Sequence, residues 1–201
     1  MASSMPAPSR SRPRVIAHHA VSLDGATTGF SPDLGTFYGL ITTWQEDVTL
    51  VGADTILAQE EALVSGTPGP GPDPDGPLLA VVDSRGRVSA WEALRSAGHW
   101  RDAIRLEADR PGERVDLRRT LERFAEQGVE TVRVDSGGVL TGALLEQGLI
   151  DEVSLLVHPV TVGAKSATRW YGASTATLVF TLDQVEAVAD GVVWLRYRRS
   201  G

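Results

Sequence analysis

VRVDSGGVLTGALLEQGLIDEV, residues 132–153, runs from a β-branched stretch through two adjacent glycines into a helix-like segment rich in small residues, then into another apolar run. Gly137 and Gly138 stand where a strand hands over to a helix, and two physical reasons can put glycine there. One is a tight turn that needs positive φ, which glycine adopts without a Cβ penalty. The other is close approach: a backbone without Cβ atoms lets a phosphate reach the free amides of a helix N-terminus, where the helix dipole also favours negative charge. The rest of the chain has to decide between them.

Outward from this stretch the same alternation repeats. VIAHHAVSL reads as a strand, TFYGLITTW as a short helix and VTLVGA as another strand, followed by a helix over ADTILAQEEAL. SGTPGPGPDPDGP holds five prolines and four glycines in thirteen residues and is a surface loop. LLAVVDS is a continuous apolar strand. DLRRTLERFAEQG carries Leu117, Leu121, Phe124 and Ala125 on one helical face and stops at Gly128. VETVRVDS is the next strand, ALLEQGLI a helix, and VSLLVHPVTVG a further strand. TLVFTLDQVEAVADGVVWLRYRR reads as two antiparallel strands joined near Asp190 and Gly191. The expected fold is therefore α/β, with a mostly parallel central sheet flanked by helices and a C-terminal antiparallel hairpin.

With 201 residues and 42% hydrophobic content, the chain fits one domain over residues 14–201. MASSMPAPSRSRPR has no apolar stretch of signal-peptide type, and residues 1–13 read as a disordered tail. The chain has no cysteine, which removes disulfides, thiolate nucleophiles and Cys-ligated zinc, and allows a cytoplasmic location. A net charge of −7 and a single lysine, Lys165, argue against a nucleic-acid partner. No stretch reaches the length of about 18 apolar residues that a membrane span needs.

Candidate chemistry gathers where strands end. SLDG at 22–25, VGADTIL at 51–57, VVDSRGR at 81–87 and VDSGGVLTGALL at 134–145 each follow a strand, and open α/β sheets bind ligands beyond the carboxyl ends of their strands. Ser84, Arg85 and Arg87 can hold a 2′-phosphate through guanidinium forks, or they form a solvated turn. Thr55 caps the helix it opens or donates to a ligand. Asp24 and Asp135 stand at strand exits, beside or near glycine; each can relay a proton or accept an N–H of a heterocycle, or brace a turn. The glycine spacing is not G-x-G-x-x-G, so a Rossmann site is not indicated. His18 and His19 adjoin on a strand and point to opposite faces, which excludes a shared metal ion. No G-x-S-x-G elbow or triad order suggests hydrolysis.

Taken in order, SLDG, the VG-x-x-T turn at 51–55, the DS after the central strand, Gly137–Gly138 and GLIDEVSLLVHPVTVG at 148–163 resemble the pyrimidine reductase domain of riboflavin biosynthesis, a family of the dihydrofolate-reductase-like superfamily. The resemblance covers residues 14–200. It implies an NADPH-dependent homodimeric reductase acting on a small heterocyclic substrate, by default a phosphoribosylaminouracil-like pyrimidine. It also implies that Thr55 and Ser84 contact the cofactor, beside the Arg85 already read as a 2′-phosphate ligand, and that Gly137, Gly138, Val139, Leu140, Thr141 and Gly142 wrap its pyrophosphate. Asp135 stands at the substrate-facing acid position, on a shorter arm than the family's glutamate, and Leu63 at a substrate-lining position. The family's two phosphate-gripping arginines fall near Thr43 and Gly66, neither of which can make a bidentate clamp. A non-phosphorylated substrate of a specialised pathway fits that departure, and so does a catalytically inactive NADP(H)-binding module acting as sensor or assembly partner. No H-x-E or P-C-x-x-C of a zinc deaminase is present, so the chain reads as a stand-alone reductase.

Overall fold

The computed structural model describes residues 11–163, 167–188 and 190–200. Most of the expected tail, residues 1–10, lies outside the described residues. Eight strands form one sheet: β1 Arg14–Ser22, β2 Val48–Gly52, β3 Leu78–Val82, β4 Asp102–Leu106, β5 Thr131–Val134, β6 Glu152–His158, β7 Phe180–Ala187 and β8 Val193–Arg199. Their order is β4-β3-β2-β5-β1-β6-β8-β7. The first six are mutually parallel, and β8 and β7 run antiparallel at one edge. The continuous apolar runs of β1, β2 and β3 follow from this position, because a strand covered on both faces has no polar side to present. Near the hairpin tip Asp190 and Gly191 have φ of 48° and 77°, left-handed values that suit aspartate and glycine.

Among the described residues six α-helices flank the sheet: α1 Leu34–Gly39, α2 Ala53–Leu57, α3 Glu60–Ser65, α4 Trp91–Ser96, α5 Leu117–Glu126 and α6 Gly138–Glu146. α5 and α6 pack on the face that carries Val15, Ala17, Val48, Leu50, Val132 and Val134. The opposite face carries Val51, Leu79 and Val81 under α2 and α4, and Ile16 beside Phe37 of α1 and Trp44. Leu121 and Leu144 are among the fully buried side chains, and truncating either to alanine costs about 2–5 kcal/mol.

α5 begins at Asp116, whose side chain accepts from the Arg119 amide, and ends before Gly128 with φ of 82°, the stop expected from the sequence. Two expectations needed correction. The helix expected over 53–63 divides into α2 and α3. Its break falls beside Glu60, whose carboxylate accepts from the Ser89 and Ala90 amides and so ties α3 to the start of α4. The helix expected over 36–44 becomes α1 followed by a 3-10 turn at Leu40–Thr43. α6 starts at Gly138, as expected from the glycine pair at the strand-to-helix junction, and ends at Glu146, short of the end of the ALLEQGLI run.

This topology fixes where a ligand is expected to sit. β2 leads to α2 on one face, β5 leads to α6 on the other, and β2 and β5 are neighbours. The crevice beyond their carboxyl ends is therefore a topological switch point, the usual ligand position in open α/β sheets.

Candidate functional site

At the switch point the two strand exits are stitched together. The Gly52 amide donates to Ser136 Oγ at 3.0 Å, and Ser136 Oγ lies 3.2 Å from Thr55 Oγ1. Thr55 is not the cap of α2, since that position belongs to Gly52; its hydroxyl instead faces the β5 exit. The exits of β3, β2, β5 and β1 lie side by side, so their polar loops form one continuous rim.

The two glycines of the pair differ, and neither makes a left-handed turn. Gly137, the N-cap of α6, has φ of −66°, and Gly138 is not among the positive-φ glycines, so no left-handed turn is required. A Cβ on Gly137 meets nothing within 4 Å, whereas a Cβ on Gly138 overlaps the Arg169 carbonyl oxygen and falls 2.6 Å from Gly172 Cα. At Gly142 the obstacle is the Tyr171 carbonyl oxygen at 2.7 Å. Gly138 and Gly142 are thus glycines because the 169–172 turn lies against α6, and the expectation that a ligand phosphate excludes a side chain at Gly138 is corrected to protein packing. Leu140 joins the core and Thr141 is buried beside His19, so neither side chain can meet a ligand. What α6 offers outward is Gly137, the exposed Val139 and first-turn amides with no side-chain cap.

At the β3 exit, Asp83 is buried. Its Oδ2 accepts from the Val88 amide at 2.9 Å, and its Oδ1 has no partner among the described residues. Burial pushes this carboxyl up, but the Val88 and Arg87 amides and nearby Arg105 outweigh it and hold it below the usual carboxylate range. This brace sets the loop that carries the half-buried Ser84 and the exposed Arg85 and Arg87. Arg87 Nη1 is paired with Asp54 at 2.7 Å, while Arg85 makes no ion pair among the described residues.

A cleft of about 1110 Å³ runs from Thr55 and Asp135 along one face of the sheet to the amino ends of β2 and β3 at Asp47 and Pro77. Leu63, Ile56, Leu79 and Tyr38 supply apolar wall. On its floor the buried Arg133 guanidinium lies between Glu46, which its Nε contacts, and Asp135, whose Oδ2 is 3.0 Å from Nη1. Burial pushes Arg133 down, but the two carboxylates overcome it and raise the guanidinium above its ordinary value. Arg133, Glu46, Tyr38 and Ser136 were not singled out in the sequence. A charged residue inside the otherwise apolar TVRV strand, two places before Asp135 and hence on the same face, was the available signal.

Asp24 lies elsewhere. Ser22 Oγ and the Val162 amide donate to its Oδ1 at 2.6 and 3.0 Å, and the Gly163 amide and Arg169 Nη1 donate to its Oδ2 at 3.0 and 2.8 Å. Those bonds, led by Ser22 and Arg169, hold its carboxyl far below the usual range. This is the turn-bracing geometry, and it corrects the expectation of a catalytic carboxyl at Asp24: every acceptor is committed and the group does not hold a proton near neutral pH. His18 and His19 do face opposite sides. His18 Nε2–H donates to the Phe37 carbonyl and Nδ1 accepts from Ser154, while His19 approaches Thr141. No group of metal-ligating side chains exists among the described residues, and no helix there is long and apolar enough to cross a membrane.

Residues 13–194 match the RibD C-terminal domain family. The chain belongs to that family. This RibD C-terminal domain is 32% identical over 184 residues to the 2,5-diamino-6-ribosylamino-4(3H)-pyrimidinone 5′-phosphate reductase of Methanothermobacter thermautotrophicus, spanning 78% of this chain and 82% of the relative. Among solved structures it resembles Acinetobacter baumannii RibD, with a TM-score of 0.69, 21% identity and coverage of 95% of this chain and 59% of that longer one. It also resembles dihydrofolate reductase from Enterococcus faecalis, with a TM-score of 0.58 and 10% identity over 94% of this chain and 97% of the other. The α/β architecture with its C-terminal antiparallel hairpin is thus that of RibD and dihydrofolate-reductase-like proteins.

Proposed function

We propose that this RibD C-terminal domain is a reductase that uses a nicotinamide dinucleotide, NADPH in our reading, to reduce a C=N or C=O carbon of an amino-substituted pyrimidine carrying a ribosyl group. The observation that carries the reading is the adjacency of two features at the β2/β5 switch point: the uncapped first turn of α6 and the Asp135 carboxylate at the end of the cleft.

A dinucleotide fits this rim. Gly137 leaves open space before the α6 amides, where the helix dipole favours a pyrophosphate. Thr55 and Ser136 offer hydroxyls beside it, Ser84 and Arg85 extend the rim toward a 2′-phosphate, and Val139 gives an apolar edge. The bound cofactor supplies the hydride. The chain's own residues orient the acceptor: Arg133 fixes Asp135 Oδ2, while Oδ1 accepts no hydrogen bond among the described residues and is available to a substrate N–H. Leu63 and Tyr38 give the heterocycle an apolar surface that excludes water, backed by the buried Ile56 and Leu79. We further infer a cytoplasmic homodimer.

Steady-state oxidation of NADPH with 2,5-diamino-6-ribosylamino-4(3H)-pyrimidinone, in its free and 5′-phosphorylated forms, tests the reading. Turnover that Asp135→Asn lowers about tenfold to a hundredfold while NADPH still binds is expected. Tight NADPH binding without turnover of either form favours the inactive module.

A further inference from the structure

The amino end of the cleft holds a charge that the site described above does not use. Arg101 stands immediately before β4, is exposed and lines the cleft. Its Nη1 donates to the backbone carbonyls of Asp47 at 3.2 Å and Gly76 at 3.4 Å, which fixes one corner of the guanidinium. Nε and Nη2 have no partner among the described residues, and the group makes no ion pair there although Asp47, Asp73 and Asp75 line the same end. Asp47 Oδ2 instead accepts from the Glu130 and Thr131 amides, and Asp73 Oδ1 from the Asp75 amide. Nε–H and Nη2–H share one edge of the planar group, so the donors left free are a bidentate fork already held in place.

Strand register sets how far this fork lies from Asp135. Val48 pairs with Val132 and Leu50 with Val134, so Asp47, whose carbonyl holds Arg101, is level with Thr131. From Thr131 to Asp135 the chain advances about 13 Å, at roughly 3.3 Å per residue. A pyrimidine whose amino group meets Asp135 carries the phosphorus of a ribosyl 5′-phosphate about ten bonds away, or roughly 12 Å when extended. The two spans agree. A phosphate monoester has a charge of about −1.5 to −2 at neutral pH and is met best by a guanidinium fork. From this we infer that Arg101 recognises the phosphate of the substrate through Nε–H and Nη2–H, at the opposite end of the cleft from Asp135. Thr43 and Gly66 offer no such fork, so in this chain the grip comes from the loop before β4. The inference rests on the reductase reading above and on a substrate ester like the 5′-phosphate in the archaeal relative's name.

The test is NADPH oxidation by the parent protein, Arg101→Gln and Arg101→Lys, with 2,5-diamino-6-ribosylamino-4(3H)-pyrimidinone and with its 5′-phosphate. Arg101→Gln is expected to raise the KM of the phosphate ester by about tenfold to a hundredfold with little change in kcat, and to move kcat/KM of the dephosphorylated compound by less than about twofold. Arg101→Lys should recover part of the loss, because it keeps the charge without the fork. Salt should raise the KM of the ester more in the parent than in Arg101→Gln. Equal changes for both compounds, no change for the ester, or turnover of the dephosphorylated compound alone overturns the inference and leaves the reductase reading intact. If the parent turns over neither compound, the reductase reading fails by itself, and calorimetric binding to the NADPH-loaded proteins decides the inference: ester affinity lost selectively in Arg101→Gln supports it, and equal or absent loss overturns it.

Discussion

Arg133 Nη1 lies 3.0 Å from Asp135 Oδ2, across the short step from the end of β5 to the β5–α6 loop. The guanidinium is buried and also holds Glu46, so it is a fixed platform rather than a mobile surface cation. Asp135 therefore meets the cleft in one orientation. Replacing it with asparagine removes an ionic acceptor worth about 1.5–3 kcal/mol, or about tenfold to a hundredfold in kcat/KM. Asp135→Asn should show that loss with NADPH affinity within about twofold of the parent. Arg133→Gln should lower stability as well, because it strands two partly or fully buried carboxylates.

Gly137 and Gly138 should separate cleanly. Gly138→Val drives a side chain into the Arg169 carbonyl and Gly172, and it should destabilise the domain by more than the 1–3 kcal/mol or so of ordinary overpacking. Gly137→Val meets no protein atom. It should leave thermal unfolding almost unchanged and weaken NADPH binding, read by fluorescence titration beside the melting curve.

Cofactor preference is expected to depend on Arg85. It is exposed and makes no ion pair among the described residues, whereas Arg87 is occupied by Asp54 at 2.7 Å. Arg85→Ala should reduce NADPH affinity by about tenfold to a hundredfold and leave NADH affinity unaffected. Arg87→Ala should change the ratio of the two affinities less, through loss of the loop's tie to α2. A ratio unmoved in Arg85→Ala removes this residue from the cofactor site.

Much of this arrangement was legible in the chain because parallel strands buried on both faces leave apolar runs, and their exits carry glycine and polar residues. β4 was not legible: DAIRL is a five-residue edge strand with mixed burial, and its pattern resembles a loop. The start of α6 at the glycine pair was legible, but the reason for Gly138 and Gly142 was not, because the 169–172 turn that explains them lies about 30 residues away in sequence. Asp24 and Asp135 look alike in sequence. What distinguishes them is long-range: Val162, Gly163 and Arg169 converge on Asp24, while Asp135 opens on a cleft.

Acid should destabilise the fold before the carboxylates titrate. Burial pushes His18 down to about 3 and His19 to about 4, from 6.5. Below pH 6.5 the unfolded chain takes up protons that the folded chain refuses, so stability is full above that pH and declines as pH falls toward 4. Chemical denaturation across this window should show the decline, and His19→Gln should make it shallower. A flat profile would exclude two neutral buried imidazoles.

Assembly as a homodimer is expected from the exposed apolar residues at the β7 edge, where Leu182 and Val185 are 50% and 59% exposed. Light scattering at micromolar concentration should give twice the mass of the chain, and Val185→Lys should shift it toward monomer.

The central claim is hydride transfer from a bound nicotinamide to the substrate in this cleft, and isotope transfer tests it most directly. NADPH deuterated at the reactive nicotinamide carbon is incubated with the protein and the ribosylaminopyrimidinone, and the product is analysed by mass spectrometry. One deuterium is expected in the reduced product, with matching loss of reduced cofactor, and both are expected about tenfold to a hundredfold slower in Asp135→Asn. Cofactor that keeps its deuterium while binding stoichiometrically would contradict the claim.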